Sequence, residues 1–425
     1  MATKSKSAKR YDAAQAFLRN LKPPEGEPDT YWEQNLELND KQRIMPTLRN
    51  AVLMLTMDAA WSQVLAFDEF ANDVVKTSAP PWSGAQPGPW SDADDSEAMI
   101  WLSHHYGVNF EHKTLLRAVN AAANRRRVHP VREYFASLKW DGTPRVREWL
   151  HTYLGALSDD YARAVGTKFL VSAVARVMRP GCKADSVLIL EGEQGRWKST
   201  VLSILAGAWF MDTPFVLGSN DAFLVIRGSL IVELAELDGF SRAESSRAKA
   251  FFSSPADTFV PKYIARAVRV PRQCVFAGTV NHGTYLRDST GNRRYWPVRI
   301  FRGQIDELRA DRDQLWAEAV HLYNEGVRWW VEPDEQALFS TEQELRYVGD
   351  AYADRIAEWA VGKSEFTMEQ VLSDALKLDV SKWTRAEQTR VGEVLQELGW
   401  ERRRRTNGKR GYFYAQRERQ PGEEG

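Results

Sequence analysis

Residues 186–205 read SVLILEGEQGRWKSTVLSIL. An aliphatic run (SVLILE) predicts a buried strand. Gly192 and Gly195 predict a turn, and KSTVLSIL predicts the start of an amphipathic helix. A bound nucleoside triphosphate needs this order. Loop N–H groups wrap the phosphates, a helix N-terminus offers its dipole, a lysine neutralises β and γ oxygens, and a hydroxyl holds Mg²⁺. Gly192, Lys198 and Ser199 stand in the register GxxxxxKS, so Gly192, Glu193, Gln194, Gly195, Arg196, Trp197, Lys198, Ser199 and Thr200 form the candidate loop for ATP, with Ser199 on Mg²⁺. Trp197 replaces the glycine that normally precedes the lysine, a change tolerable if its φ is negative. The plainer reading is a strand-turn-helix connection whose glycines serve only to turn.

The residues downstream favour chemistry. GSLIVELAEL (228–237) puts Glu233 and Glu236 at the end of a second apolar strand. One carboxylate there can hold the metal's water shell and the other can polarise the attacking water; the two roles are interchangeable. The alternative is two acids leaving a sheet edge into solvent. CVFAGTV (274–280) is a third strand, ending at Asn281, whose amide can face a γ-phosphate or water. TGNRRYWPV (290–298) carries Arg293 and Arg294 before a fourth strand. Such a pair is either a solvated surface feature or, in an oligomeric ATPase, a finger extended into the neighbour's site.

Across 186–301, strand-like runs (SVLILE, SLIVEL, QCVFAGTV, YWPVRIF) alternate with helical ones (KSTVLSILAGA, SRAESSRAKAFF), predicting a parallel sheet covered by helices. The whole chain has 425 residues, enough for about two to four structural units. Residues 1–25 read as a basic lead-in, 26–180 as a mainly helical N-terminal region, 181–335 as the α/β core, 352–416 as a separate module and 417–425 as a tail. SAPPWSGAQPGPWSDADD (78–95) reads as a loop, with Asp92, Asp94 and Asp95 in a solvated acidic turn rather than a primase metal site. Residues 305–332 read as one helix.

Composition narrows the classes. The chain has 57 Lys plus Arg against 57 Asp plus Glu, so no global basic field announces a nucleic-acid partner and local patches must supply one. Its two cysteines, Cys182 and Cys274, are isolated, which suits a reducing cytoplasm and makes no zinc site. No membrane-length apolar run and no signal-peptide pattern is present, so the expectation is a cytoplasmic protein.

In the C-terminal module, FTMEQVLSDALKL (366–378) predicts a helix opened by a Thr367–Gln370 capping box. TRAEQTRVGEVLQEL (384–398) predicts a second, with Val391, Leu395 and Leu398 on one face and Gly399 as its stop. WERRRRTNGKRGYFYA (400–415) predicts a hairpin turning at Asn407-Gly408. Helix, helix and two-stranded wing is the order of a winged helix-turn-helix. Eight Lys/Arg against two acids between Trp400 and Arg419 point to duplex DNA phosphates, through Arg403, Arg405, Lys409 and Arg410. A solvated hairpin or an oligomer-docking module is the alternative.

The run LILEGEQGRWKST, IVELAELDGFSRAESSRAKAFFSSPADTFVPKY, VPRQCVFAGTVNH, TGNRRYWPV, preceded by HPVREYFASLKWDGTPR (129–145), resembles the virulence-associated E family of phage, prophage and plasmid proteins. Their core is similar to superfamily 3 helicases of the AAA+ type. The resemblance implies Lys198 and Ser199 as Walker A residues, Glu233 and Glu236 as Walker B acids with Glu233 beside the metal, Asn281 as sensor, and Arg293 or Arg294 as arginine finger. It also implies a hairpin tracking single-stranded DNA in a ring's pore, in the region of Lys249, Lys262, Tyr263 and Arg266. The expectation is therefore an ATP-driven DNA helicase or translocase of phage, prophage or plasmid replication, acting as a homo-oligomer (a hexamer), with a separately encoded primase as a further candidate partner. The alternatives are an origin-remodelling ATPase without processive unwinding, and a DNA-binding regulator for which nucleotide is only a structural ligand.

Overall fold

The computed structural model describes residues 31–234, 242–260, 267–281, 285–286, 292–347, 350–405 and 411–416. The N-terminal part contains α1 (Leu48–Met57), the hairpin β1 (Leu65–Asp68) and β2 (Asp73–Lys76), β3 (Gly88–Pro89), α2 (Asp92–Tyr106), α3 (His112–Ala123) and β4 (Arg127–Val128). Three helices of ten or more residues lie here, but residues 65–76, which the helical reading covered, form a hairpin inside a small sheet of order β3-β2-β1-β4. The Pro/Gly stretch ends earlier than the sequence suggested. Ser91 caps α2 with a full capping box, so Asp92, Asp94 and Asp95 form a helix's first turn rather than a solvated loop. Asp94 and Asp95 are buried. Burial disfavours the charged Asp94, yet hydrogen bonds from Lys76 and Ser91 hold its carboxyl below the usual range. Neither residue is presented to a metal.

Three helices lead into the core: α4 (Pro130–Ser137), α5 (Trp149–Leu154) and α6 (Asp160–Met178). In α6, 14 of 19 residues are buried, so it is enclosed on all sides rather than amphipathic. There follow β5 (Val187–Glu191), α7 (Lys198–Ala206), β6 (Phe210–Met211), α8 (Asn220–Val225), β7 (Ile231–Leu234), α9 (Arg242–Ser253), β8 (Ala256–Phe259), β9 (Val268–Pro271), β10 (Val275–Val280), β11 (Tyr295–Arg299), α10 (Ile305–Asn324) and α11 (Gln336–Glu344). β5, β6, β7, β10 and β11 form one parallel sheet in the order β11-β5-β10-β7-β6. A parallel sheet must be covered on both faces, and alternation along the strands does this. Leu188, Leu190, Ala277, Trp296 and Val298 join α6, α7 and α10 on one face. Val187, Ile189, Val232, Phe276 and Tyr295 join α8 and α9 on the other.

Two features were not expected from the sequence: the two-residue edge strand β6 and an α10 that stops at Asn324. The antiparallel β8-β9 hairpin lies in the region where the family resemblance implied one, although no residue pattern there reads as strand. Beyond α10, buried Lys168 of α6 pairs with Glu335 at 2.9 Å and donates to the Trp330 carbonyl, pinning residues 328–335 in a non-helical strap.

The last unit comprises α12 (Ala353–Ala360), β12 (Glu365–Phe366), α13 (Met368–Gln370, continued by a π turn Val371–Ala375), α14 (Arg385–Glu397), β13 (Trp400–Arg404) and β14 (Tyr412–Gln416). The Thr367–Gln370 capping box is present. Val391 and Leu395 are fully buried in a core shared with Ile356, Phe366, Trp400 and Tyr414. β12 adds a third strand to the hairpin, in the order β12-β14-β13.

Candidate functional site

The strand order decides what can meet. β10 lies between β5, which leads into the glycine loop, and β7, which carries Glu233. All three are parallel, so their C-terminal tips open on the same edge of the sheet, where ligands of open α/β sheets sit. Lys198 Nζ donates to the carbonyl oxygens of Gly192 (2.6 Å) and Glu193 (2.9 Å) and to Asn281 Oδ1 (3.0 Å). Ser199 Oγ donates to Glu233 Oε1 at 2.7 Å. Residues 83 and 34 positions apart are thus in direct contact around one loop.

Glu233 is 4% exposed, and its two oxygens differ. Oε1 accepts from Ser199 and from Thr279 Oγ1 at 2.9 Å. Oε2 is buried and has no hydrogen-bond partner among the described residues. A buried carboxylate oxygen left without a partner is costly. A divalent cation beside Ser199 relieves that cost, so Ser199 and Glu233 fit Mg²⁺. Thr279 was not singled out in the sequence; the signal was a hydroxyl inside an otherwise apolar strand.

Trp197 corrects one expectation. Its φ is +63° and its ψ 18°, not a negative φ. The loop keeps the left-handed turn a glycine would make, and a non-glycine residue there costs about 1–2 kcal/mol. The indole lies against Gly303, where an added Cβ would come within 2.8 Å of Trp197 Cδ1.

Glu236 lies outside the described residues. So do Lys262, Tyr263 and Arg266, which fall in sequence between the arms of the β8-β9 hairpin, and Lys409 and Arg410. Lys249 of α9 is buried at 8% exposure and has a partner within the protein, so it does not present itself to a nucleic acid.

The two arginines before β11 also differ. Arg294 Nε donates to Ser253 Oγ at 2.9 Å and lies 3.5 Å from Asp185. Arg293, in the same 3-10 turn (Asn292–Arg294), is exposed. In the register of β11 and β5, Tyr295 faces Val187 and Arg299 faces Glu191. Arg293 therefore lies at the opposite end of the sheet from the glycine loop, about 15–20 Å away along the strands.

A second polar cluster flanks the loop. Glu191, the last residue of β5, is held bidentately by Arg346 at 2.8 and 2.9 Å and accepts from Tyr285 Oη at 2.8 Å. Burial and the Glu191 charge push the Tyr285 hydroxyl well above its ordinary pKa. The Arg346 carbonyl accepts from the Tyr285 and Leu286 N–H groups, and Tyr347 Oη donates to Glu397 of α14 at 2.9 Å.

In the C-terminal hairpin, Arg403 pairs with Phe413 and Arg404 with Tyr412 across the strands. Arg405 forms an ion pair with Glu365, and Arg403 lies 3.8 Å from Glu401. The Arg402 guanidinium sits 3.9 Å over the Tyr412 ring. No helix among the described residues is long and apolar enough to cross a membrane.

Two solved structures align with most of the chain. The A-form apo structure of the NrS-1 C-terminal region is 11% identical, with 83% of this chain and 95% of that chain covered at a TM-score of 0.45. Another apo structure of that region is 12% identical, with the same coverage and a TM-score of 0.43. No curated protein gives a significant match. The model of the virulence-associated protein E-like domain matches residues 135–348, just over half of the 425 residues, from α4 through α11. On that match the chain belongs to the virulence-associated protein E-like family.

Proposed function

We propose that the chain is a P-loop ATPase driving a DNA helicase or translocase of phage, prophage or plasmid replication, with ATP and Mg²⁺ held at the strand tips. The observation that carries this reading is the cluster Lys198, Ser199, Glu233 and Asn281, together with the unpartnered, buried Oε2 of Glu233. Bound Mg²⁺ supplies charge neutralisation for the phosphates and a fixed orientation for them. Lys198 now rests on two loop carbonyls and the Asn281 amide, a set of partners that a β/γ-phosphate can replace. The start of α7 and the loop N–H groups add a positive pole. Glu236 is assigned to polarising the attacking water, with Glu233 on the metal side.

The position of Arg293 favours a closed ring, a hexamer in this proposal. Its distance from its own loop is well beyond an arginine's reach, so it serves a neighbour's site across a heterologous interface. The C-terminal unit is read as a winged helix on duplex DNA. The hairpin between α9 and β10, with the residues in sequence between its arms, is read as the contact to single-stranded DNA in the pore. A separately encoded primase is the further partner in this proposal, which places the protein in the cytoplasm.

The test is ATP turnover of the full chain with and without single-stranded DNA, alongside a mass measurement in nucleotide. DNA-stimulated turnover by an oligomer is expected. Turnover without strand displacement favours the origin-remodelling alternative, and nucleotide binding without any turnover favours the regulator.

A further inference from the structure

Among the exposed large apolar side chains of the described residues, three lie in the glycine loop or in segments tied to it. Trp197 is 55% exposed, Phe301 47% and Leu157 69%. Backbone hydrogen bonds hold these segments side by side. The N–H groups of Phe301 and Arg302 both donate to the Leu154 carbonyl, at 3.0 and 3.1 Å. Arg196 of the glycine loop donates to the Phe301 carbonyl at 3.1 Å, tying that loop to the same segment. Gly303, two residues beyond Phe301, leaves the space that the Trp197 side chain fills.

Trp197 adds a separate observation. It occupies a left-handed backbone position that glycine would take without strain, yet over half its surface stays in solvent, so core packing does not account for it. An exposed aromatic face packed against Gly303 beside the glycine loop suits a flat ring joined to phosphates on that loop. Cations lie in the same tied segments: Arg196, bound to the Phe301 carbonyl, and Arg299, whose guanidinium lies 5.4 Å from the Phe301 ring.

We propose that Trp197 and Phe301 form the purine-base subsite of the nucleotide whose phosphates lie on Gly192–Thr200. The proposal rests on the phosphate-site reading above. The base stacks on an aromatic face, a contact for which alanine substitution typically costs about fivefold to a hundredfold in affinity. Trp197 thus replaces the loop glycine to add contact with the base, and the strained turn accommodates it.

The experiment compares affinities of the full chain for magnesium ATP and magnesium tripolyphosphate, which shares the phosphates and lacks the base. The parent is expected to bind ATP at least about tenfold more tightly than tripolyphosphate. Phe301→Ser should lose most of that preference while binding tripolyphosphate as the parent does. Trp197→Gly should weaken ATP by about tenfold, and Trp197→Phe, which keeps a π face, should recover much of the loss. A parent that binds neither ligand defeats the phosphate-site reading itself. A parent without preference, or variants that keep the parent's preference, overturn the base subsite and leave the phosphate site standing. Variants that lose both ligands in step assign the aromatic groups to loop folding, which also overturns it.

Discussion

The two ends of the parallel sheet carry charge in opposite ways. At the C-terminal tips of β5, β7 and β10, the charged groups converge: Glu233 and Lys198 are buried, and each bonds to residues far away in sequence. At the N-terminal end of β11, Arg294 is fixed by Asp185 and Ser253 while Arg293 points to solvent. One end is a set of converging groups with a gap suited to a cation. The other is an exposed cation beside a braced one, with no anionic partner among the described residues. In the proposed function the two ends complement each other across a subunit interface, which neither end does alone. An arginine pair in sequence thus separates, in three dimensions, into a brace and a projecting group.

The largest effect expected from breaking this contrast is at Lys198. Lys198→Ala should lower ATP turnover at least about a thousandfold, since a preorganised charge on the phosphates is removed from a poorly solvated site. Steady-state hydrolysis measures it, with circular dichroism as the check on folding. Next comes the other end. Arg293→Ala should reduce kcat about a thousandfold with nucleotide affinity retained. Asp185→Asn, which weakens only the brace, should cost much less and be milder than Arg294→Ala. An equal loss for Arg293→Ala and Asp185→Asn would erase the distinction between projecting group and brace.

The Glu191–Arg346 pair gives a third, structural contrast. Arg346→Ala leaves a buried carboxylate beside the phosphate loop and should destabilise the fold by about 3–5 kcal/mol, read by denaturant unfolding. Glu191→Gln with Arg346→Met, which removes both charges, should cost less than Arg346→Ala alone. The smallest effect is expected in the C-terminal hairpin. There Arg405 and Arg403 have carboxylate neighbours, Glu365 and Glu401, so their charge is already partly compensated. Replacing Arg403, Arg405, Lys409 and Arg410 with Ala should reduce the log–log salt slope of duplex binding by less than the roughly 0.9 per contact of a free cation. Unchanged affinity at two salt concentrations would turn the hairpin into a docking element.

Much of the core was legible because it is local. Each of the four short apolar runs, the glycine turn and the helix after Lys198 is a signal carried by about a dozen neighbouring residues or fewer. β6 escaped because two residues carry no period. The β8-β9 arms were implied only by the family resemblance, because four-residue arms that mix polar and apolar side chains carry no pattern of their own. Asp94 and Asp95 read as a solvated turn because what buries them is tertiary: Lys76 lies 18 residues away from Asp94. Arg346 is 155 residues from Glu191, so no local pattern marks that pair. At Trp197 the sequence showed the departure but not its backbone sign, since a positive φ is set by the path of the loop and not by the residue type.

The claim that the two ends of the sheet form one site across subunits is tested most directly by mixing. Lys198→Ala lacks its own phosphate lysine and keeps Arg293; Arg293→Ala has the reverse defect. Each alone should be nearly inactive. In an equal mixture that exchanges subunits at random, one interface in four pairs an intact loop with an intact arginine, so turnover should recover to about a quarter of the parent's. A mixture no more active than its components, with mass measurement showing that mixed oligomers have formed, would contradict the account.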